Sequence, residues 1–326
     1  MKRLICSLVV AMAAAISIWA GPVDEAKAKA LAQKYINNPV KANTSTMQRV
    51  KANPTAEDKA PALHLFNSQE GEGFVIVAAD DRVGGVLGYS DKGRLDTDNM
   101  PDGLRALLDS YARTVESVRT DEANVIPVYA NRPKASVKPL ISAEWSQEYP
   151  YNYYTPKSSS GKPTYTGCTI TAAAQVLSAH KWPKMRPQGV TKGEGAMAYD
   201  YYDWDNMIDN YSNGGYSIGR LRVLMRDLGR LARATYGVNG TLSDEGKVWN
   251  ALQYYYDCTV RQLEKDLLPG GEFLQVVYNE LSLGCPLFMT GGDHAFVYDG
   301  YDENGLVHVN WGWGGLDNGY FDINTA

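Results

Sequence analysis

Two residues of this sequence, Cys168 and His294, have the types and the spacing that covalent nucleophilic chemistry needs. Cys168 follows Gly167 and opens an alanine-rich run, which predicts a helix that ends before Pro183. A thiol at the positive end of a helix dipole is expected to have a lowered pKa, although an isolated cysteine there is more often a buried structural residue. His294 lies 126 residues later, directly after a glycine turn. The pair predicts a thiol nucleophile with a histidine base.

Further side chains are candidates to complete such a site. Gln147 precedes the thiol, and its amide would form an oxyanion hole with the backbone N–H of the cysteine, unless it is only a solvated loop residue. Asn310 follows the histidine by sixteen residues on the next predicted strand, where it could orient the imidazole. Trp311 and Trp313 either shield that hydrogen bond or pack in the core. The order and spacing of these motifs together favour catalysis.

The other histidines fit the role of base less well. His64 lies in an alternating strand and is interpreted as structural. His180 lies at the far end of the helix that carries the thiol, roughly 18 Å away at about 1.5 Å per residue. His308 shares a strand face with Asn310 and stays a weaker alternative base.

The elements that must position these residues fall into two predicted units. The first combines helices and short strands, at 24–37, 63–67, 73–79, 86–89 and 104–118. A charged, proline-bearing stretch without periodicity, 119–140, predicts a linker. In the second unit helices precede a meander of short strands that begins near Cys285, which predicts an α+β fold. The expected division is a signal at 1–21, a first domain at 22–130 and a second at 131–326.

The N-terminus predicts export. Lys2 and Arg3 precede an apolar run from Leu4 to Ile18, and Ala20 or Gly21 supplies a small residue for cleavage. No second run is long enough to span a membrane, so no membrane span is expected. The chain of 326 residues has a net charge of −5 and no basic cluster with interleaved aromatics. A nucleic-acid partner is therefore not expected.

Cysteine usage bears on both redox state and cofactors. Cys6 would leave with the signal, so an odd number of cysteines remains and at least one thiol is unpaired. Cys258 and Cys285 are predicted to be either buried thiols or one disulfide, which leaves Cys168 as the best free thiol. No cysteine or histidine pair has metal-ligand spacing, so neither a metal nor another cofactor is expected.

The motifs resemble those of the streptopain family of cysteine peptidases (C10, papain-like), and more narrowly its Prevotella-type zymogens. The resemblance rests on Thr166-Gly167-Cys168, on Gly292-Asp293-His294-Ala295-Phe296-Val297 and on the specific run HVNWGWGG at 308–315. The first unit, from Gly73-Phe74-Val75-Ile76-Val77 to Leu87-Gly88-Tyr89-Ser90, is similar to the inhibitory propeptide of that family. Nearly the whole chain after the signal is thus covered. This chain stops at Ala326, whereas family catalytic domains continue into a glycine-rich loop and a closing strand.

The resemblance implies a role for each candidate residue. Cys168 would be the nucleophile, His294 the general base and Gln147 the oxyanion donor. Trp313 would pack on the imidazole, and we rank it above Asn310 as the third partner. The implied fold is a papain-like domain, with a helical half and an antiparallel sheet half, preceded by a small α+β inhibitory propeptide. Family members are secreted endopeptidases of broad specificity that favour an apolar side chain two residues before the scissile bond.

From residues and resemblance together we expect a secreted cysteine endopeptidase made as a zymogen and activated by its own cleavage between Asp121 and Pro139. Its expected partners are protein or peptide substrates and its own propeptide, which acts as inhibitor. Two alternatives remain. One is a non-catalytic secreted binding or inhibitor protein with the same fold, and the other is an acyl transferase that uses the same Cys–His pair.

Overall fold

The fold is α+β, as the sequence predicts. A computed structural model describes residues 21–36, 47–50, 61–69, 72–120, 133, 135–187, 190, 200–215, 217–269 and 271–325. Most of the predicted signal and residues 121–132 of the predicted linker lie outside these ranges. Among the described residues, no helix has the length and apolar character that crossing a membrane requires.

Helices and strands lie close to their predicted positions. The helices are α1 (Glu25–Ile36), α2 (Asp102–Thr120), α3 (Cys168–His180), α4 (Ile218–Leu231), α5 (Glu245–Tyr255) and α6 (Glu272–Ser282), with short 3-10 turns at Trp204–Asn206 and Lys265–Leu267. The strands are β1 (Met47–Val50), β2 (Leu63–Ser68), β3 (Phe74–Ala78), β4 (Val86–Ser90), β5 (Leu287–Gly291), β6 (His294–Tyr301), β7 (Val307–Asn310) and β8 (Gly319–Phe321). The sequence analysis did not predict strand β1 or the two 3-10 turns.

All eight of these strands form one antiparallel sheet, in the order β1-β2-β3-β4-β8-β7-β6-β5. The N-terminal strands join the C-terminal ones where β4 pairs with β8, through Gly88↔Phe321 and Tyr89↔Tyr320. Gly88 permits this close approach, because a Cβ atom there would lie 2.6 Å from the Phe321 ring. The two predicted units therefore share a sheet, and the ring of Tyr89 stacks on that of Tyr320 at 5.2 Å.

Helices cover both faces of the sheet. On one face, α2 and α6 pack over the strands in a core that joins the N-terminal and C-terminal halves, including Leu104, Leu281, Phe296, Trp311 and Phe321. On the other face, α1 covers β2 and β3, and α3 covers the C-terminal strands. Helix α3 makes its largest contact with β6. The sheet thus separates α2 from α3, and both helices contact β6.

Candidate active site

The thiol of Cys168 lies at the first residue of α3, and its position is fixed by glycine geometry. Gly167 is the N-cap with φ 98°, a conformation that favours glycine. A Cβ atom at Gly167 would also lie 3.1 Å from the Thr241 carbonyl oxygen, so the loop that contains Thr241 packs directly against the entry to the helix. The three described cysteines are unpaired: Cys168, Cys258 and Cys285.

The prediction of a lowered thiol pKa is wrong for this state. Burial is the largest influence and raises the pKa of Cys168, and the negative charge of Glu245 acts in the same direction. The backbone N–H groups of Ala295, Thr169 and Cys168 itself donate toward the sulfur and oppose this rise. Desolvation of the thiolate therefore outweighs the helix N-terminus, and the thiol is the favoured form here.

His294 is positioned by a tight hairpin between β5 and β6. The two turn residues, Gly292 and Asp293, have φ 60° and 58°, as a two-residue turn with both residues at positive φ requires. The turn sets His294 opposite Gly291 as the first residue of β6. The glycine turn that the sequence analysis noted before the histidine thus fixes where β6 begins.

The imidazole of His294 does not contact the thiol in this state. Side chains alternate along β6, and Ala295 and Val297 pack in the α3 cluster whereas Phe296 and Tyr298 pack on the α2 side. His294 stacks on Phe296 with ring centroids 6.2 Å apart, and its Nε2 lies 2.8 Å from the Trp311 carbonyl oxygen. Among the described residues no hydrogen bond joins it to the cysteine. The imidazole therefore lies on the sheet face opposite α3.

Helix α2 holds the imidazole on that face. A Cβ atom at Gly103 would lie 2.7 Å from Cζ3 of Trp311 and 3.0 Å from Cδ2 of His294, so the helix backbone lies against both rings. His294 is 5% exposed. Burial lowers its pKa, while the Trp311 carbonyl and the charge of Asp102 oppose this shift. The sequence analysis missed Gly103, although a glycine in the first turn of an amphipathic helix is a signal of close packing.

Gln147 lies beside the segment that leads into the cysteine. Its backbone carbonyl accepts hydrogen bonds from the Thr166 N–H at 3.0 Å and from the Thr166 hydroxyl at 3.3 Å. Thr166 is two residues before Cys168, so the half-buried Gln147 is tied to the chain that carries the thiol. This is where an oxyanion donor would have to be anchored.

Asn310 links the sheet to α3. Its Oδ1 accepts a hydrogen bond from Nε2 of the buried Gln175 at 3.0 Å, and its Nδ2 donates to the Ala143 carbonyl at 2.9 Å. Its Oδ1 also accepts from the Gly312 N–H at 3.1 Å. The side chain is thus engaged on the α3 face, while His294 lies on the other face. The structure does not bring these two residues together in this state.

The WGWGG run forms a tight loop after β7. Gly312, Gly314 and Gly315 all have positive φ, at 71°, 69° and 86°, which explains why glycine fills these positions. Trp311 is 1% exposed, and its ring centroid lies 5.0 Å from that of Phe296. The indole N–H of the half-buried Trp313 has no hydrogen-bond partner within the described part of the chain, and no ring contact there joins Trp313 to the histidine.

The remaining histidines lie elsewhere in the fold. The Nε2 of His64 lies 2.8 Å from the Val23 carbonyl oxygen, consistent with the predicted structural role. The Nδ1 of His308 lies 2.5 Å from a carboxylate oxygen of the buried Asp299. His180 is the last residue of α3. In the described ranges no three His, Cys, Asp or Glu side chains cluster as a metal site would.

Comparison with known proteins assigns each half of the chain to a family. Residues 145–321 match the Peptidase C10 family, and residues 20–115 match the Spi protease inhibitor family. The thiol protease/hemagglutinin PrtT of Porphyromonas gingivalis is 32% identical over 99% of this chain, which spans 41% of the length of that protein. Streptopain of Streptococcus pyogenes is 27% identical, with 92% of this chain and 84% of streptopain covered.

Two solved structures are also similar to this chain. A fragment of prointerpain A from Prevotella intermedia superimposes with a TM-score of 0.71 at 28% identity, covering 86% of this chain and 92% of the fragment. Active interpain A from the same organism superimposes with a TM-score of 0.50 at 31% identity, covering 59% of this chain and 90% of that one. The pro-form thus covers more of this chain than the active form does.

Proposed function

Because this chain belongs to the Peptidase C10 family of cysteine peptidases, we propose that it is a secreted endopeptidase in its latent form, with Cys168 and His294 as its catalytic pair. We assign residues 22–130 to the inhibitory propeptide and residues 131–326 to the catalytic domain. Export follows from the signal predicted at residues 1–21. Protein substrates and the propeptide itself are the partners that this function requires.

One observation carries the proposal: the histidine lies on the wrong side of the sheet for catalysis, and α2 lies against it. A general base must come within hydrogen-bond distance of its nucleophile. Here the Ala295 N–H donates toward Sγ of Cys168. The side chain of the neighbouring His294 lies on the opposite face of the sheet, against Gly103. A propeptide helix that occupies this position would keep the enzyme inactive until the linker is cut.

In the active form the chemistry would proceed by acyl transfer. His294 accepts the proton of the Cys168 thiol, the resulting thiolate attacks the scissile carbonyl carbon, and the peptide C–N bond breaks as the imidazolium returns that proton to the leaving amine. Water then attacks the acyl-enzyme thioester, His294 accepts its proton, and the thiolate leaves. The amide of Gln147 and the backbone N–H of Cys168 would stabilise the oxyanion in both steps.

The full-length Cys168→Ala chain tests this function. Alanine favours the helix, so the fold should persist, while hydrolysis of casein should fall at least about a thousandfold because the nucleophile is lost. The variant should also accumulate uncut in the absence of other proteases, whereas the wild-type chain is cut between Asp121 and Pro139. Equal processing of both chains would refute self-cleavage, and retained hydrolysis would refute the nucleophile.

A thiol-directed peptidyl inactivator separates this function from the alternatives. A processed chain with an assembled catalytic pair should be labelled at Cys168 and should release peptides from casein. A non-catalytic binding protein of the same fold would not be labelled faster than an ordinary thiol. An acyl transferase would be labelled, but would need an added amine to turn over.

A further inference from the structure

The loop between β7 and β8 contains a buried carboxyl group, that of Asp317. Asp317 is 1% exposed, and neither of its carboxylate oxygens has a hydrogen-bond partner among the described residues. Its backbone carbonyl accepts the indole N–H of Trp311 at 3.0 Å. An ionised carboxylate in such a place is costly to bury, because it gives up water without receiving donors in exchange.

The N-terminal half supplies the cover over this loop. The Ser90 hydroxyl donates to the carbonyl of Asn318, the next residue, at 2.6 Å. The carboxyl group of Asp96 is close enough to act on Asp317 electrostatically, with the same sign of charge. On the far side of Trp311, the backbone of Gly103 lies against the indole ring. Asp317 therefore lies where the two halves meet, and undocking of residues 90–103 would return it to water.

We propose that protonation of Asp317 controls the docking of the N-terminal half: in acid the docked half holds this carboxyl group protonated, so a rise in pH from the acid range up to neutrality loosens the docking. This inference deepens the proposed function and rests on it, since release of the propeptide is what would free the site. A second carboxylate, Asp96, faces Asp317 from the part that leaves, which favours release once Asp317 is ionised.

The direction and size of the pH effect on docking follow from the protonation state of Asp317 in the docked and undocked forms. Burial, with a smaller contribution from Asp96, raises the pKa of Asp317 from 3.8 to about 7 in the docked state. A solvated aspartate in the undocked state titrates near its ordinary value. Docking therefore takes up a proton between these two pH values, and its equilibrium constant falls about tenfold per pH unit, roughly a thousandfold in all. Above about pH 7, Asp317 is ionised in both states, and the docking equilibrium constant no longer changes with pH through this residue.

Other charged groups near the loop must be separated from this effect. Asp96 acts on Asp317 itself, and Glu144, which pairs with Lys92, lies beside Gly315 of the same loop. His294, on which Asp102 acts, lies at the Trp311 carbonyl. His294 acts in the opposite direction, because burial lowers its pKa and acid therefore favours its undocking. The pH profile of the wild-type chain is a sum of such effects. A comparison between Asp317 and a neutral residue of the same shape isolates the carboxyl group.

The test compares two full-length chains, Cys168→Ala alone and Cys168→Ala with Asp317→Asn, by amide hydrogen exchange between pH 5 and 9. At each pH we divide the exchange rate of the chain that keeps Asp317 by that of the Asp317→Asn chain, at α2 and at the Asp322 N–H, which bonds the Leu87 carbonyl. This ratio cancels the intrinsic pH dependence of exchange. The ratio should rise about tenfold per pH unit up to about pH 7 and then level off. Helix α4 is the internal control, and its ratio should stay constant.

A ratio that is independent of pH would overturn the proposal, as would an equal rise in α4, which would indicate global destabilisation. If Asp317→Asn does not fold, Asp317→Ser is also neutral and gives the same comparison. Both chains lack the nucleophile, so the result does not depend on whether the protein is a peptidase. Failure of the proposed function would appear in the Cys168→Ala assay, and failure of this inference in the exchange ratio.

Discussion

Gly103→Ala is the substitution that most directly tests whether α2 enforces latency. The new Cβ atom would lie 2.7 Å from the Trp311 ring and 3.0 Å from the His294 ring, closer than atoms at such a contact can remain. Trp311 is held between Phe296 and Phe321, with ring centroids 5.0 Å and 5.5 Å away, so it has little room to move. The helix must shift away from the sheet instead.

The expected change in the undocking equilibrium follows from the free-energy cost of overpacking a tight interface. One added methyl group in a packed core costs about 1–3 kcal/mol. The gain in helix propensity, about 1 kcal/mol, applies equally to the docked and undocked helix and cancels in the docking equilibrium. Undocking should therefore become about 5- to 150-fold more favourable. The effect lies in the docked state and does not require the N-terminal half to unfold.

The assay is the rate at which a peptidyl inactivator labels the thiol of the full-length chain before processing. Under the proposed function, rapid labelling requires the undocked state, in which His294 can reach the thiol, so Gly103→Ala should label about 5 to 150 times faster than the wild-type chain. Gly85→Ala is the matched control, since a Cβ atom there would make only an ordinary contact, 3.9 Å from Leu31. Equal labelling of the Gly103→Ala and wild-type chains, both folded, would refute the role of α2, as would equal acceleration by Gly85→Ala.

Two further predictions concern the chemistry of the site. If Trp313 holds the imidazole in the active form, Trp313→Ala should lower kcat of the processed enzyme far more than Asn310→Ala does, and the reverse ranking would favour the amide as the orienting group. Glu245→Gln should lower the pKa of the Cys168 thiol, because a negative charge that opposes the thiolate is removed. The pH profile of iodoacetamide labelling should then move to lower pH, and an unchanged profile would contradict the placement of Glu245.

Local patterns predicted the elements of this protein well. The α3 helix, the glycine before its cysteine and the turn before His294 all follow from short-range rules on periodicity and positive φ. The raised pKa of Cys168 could not be predicted in the same way. A helix N-terminus is visible in the sequence, but the desolvation that outweighs it comes from segments far away in the chain.

The side of the sheet on which His294 lies also could not be predicted from the sequence. All eight residues of β6 are buried, so the strand shows no alternation of polar and apolar residues from which to assign its faces. The pairing of β4 with β8 joins residues more than two hundred positions apart, and neither strand carries a local signal for its partner. Both features depend on the docking of one half of the chain onto the other.

The same strand geometry limits how the proposed activation could occur. A register shift of one residue along β6 would bring His294 to the α3 side, but it would also turn every following side chain to the opposite face and destroy both cores. The change must therefore be confined to the end of the strand, at the His294↔Gly291 pair and the turn before it. Helix α2 packs on this end as well, since a Cβ atom at Gly292 would lie 2.2 Å from the Ala106 methyl group. One helix thus restrains both the imidazole and the turn that would have to move it, so its removal would release the two together.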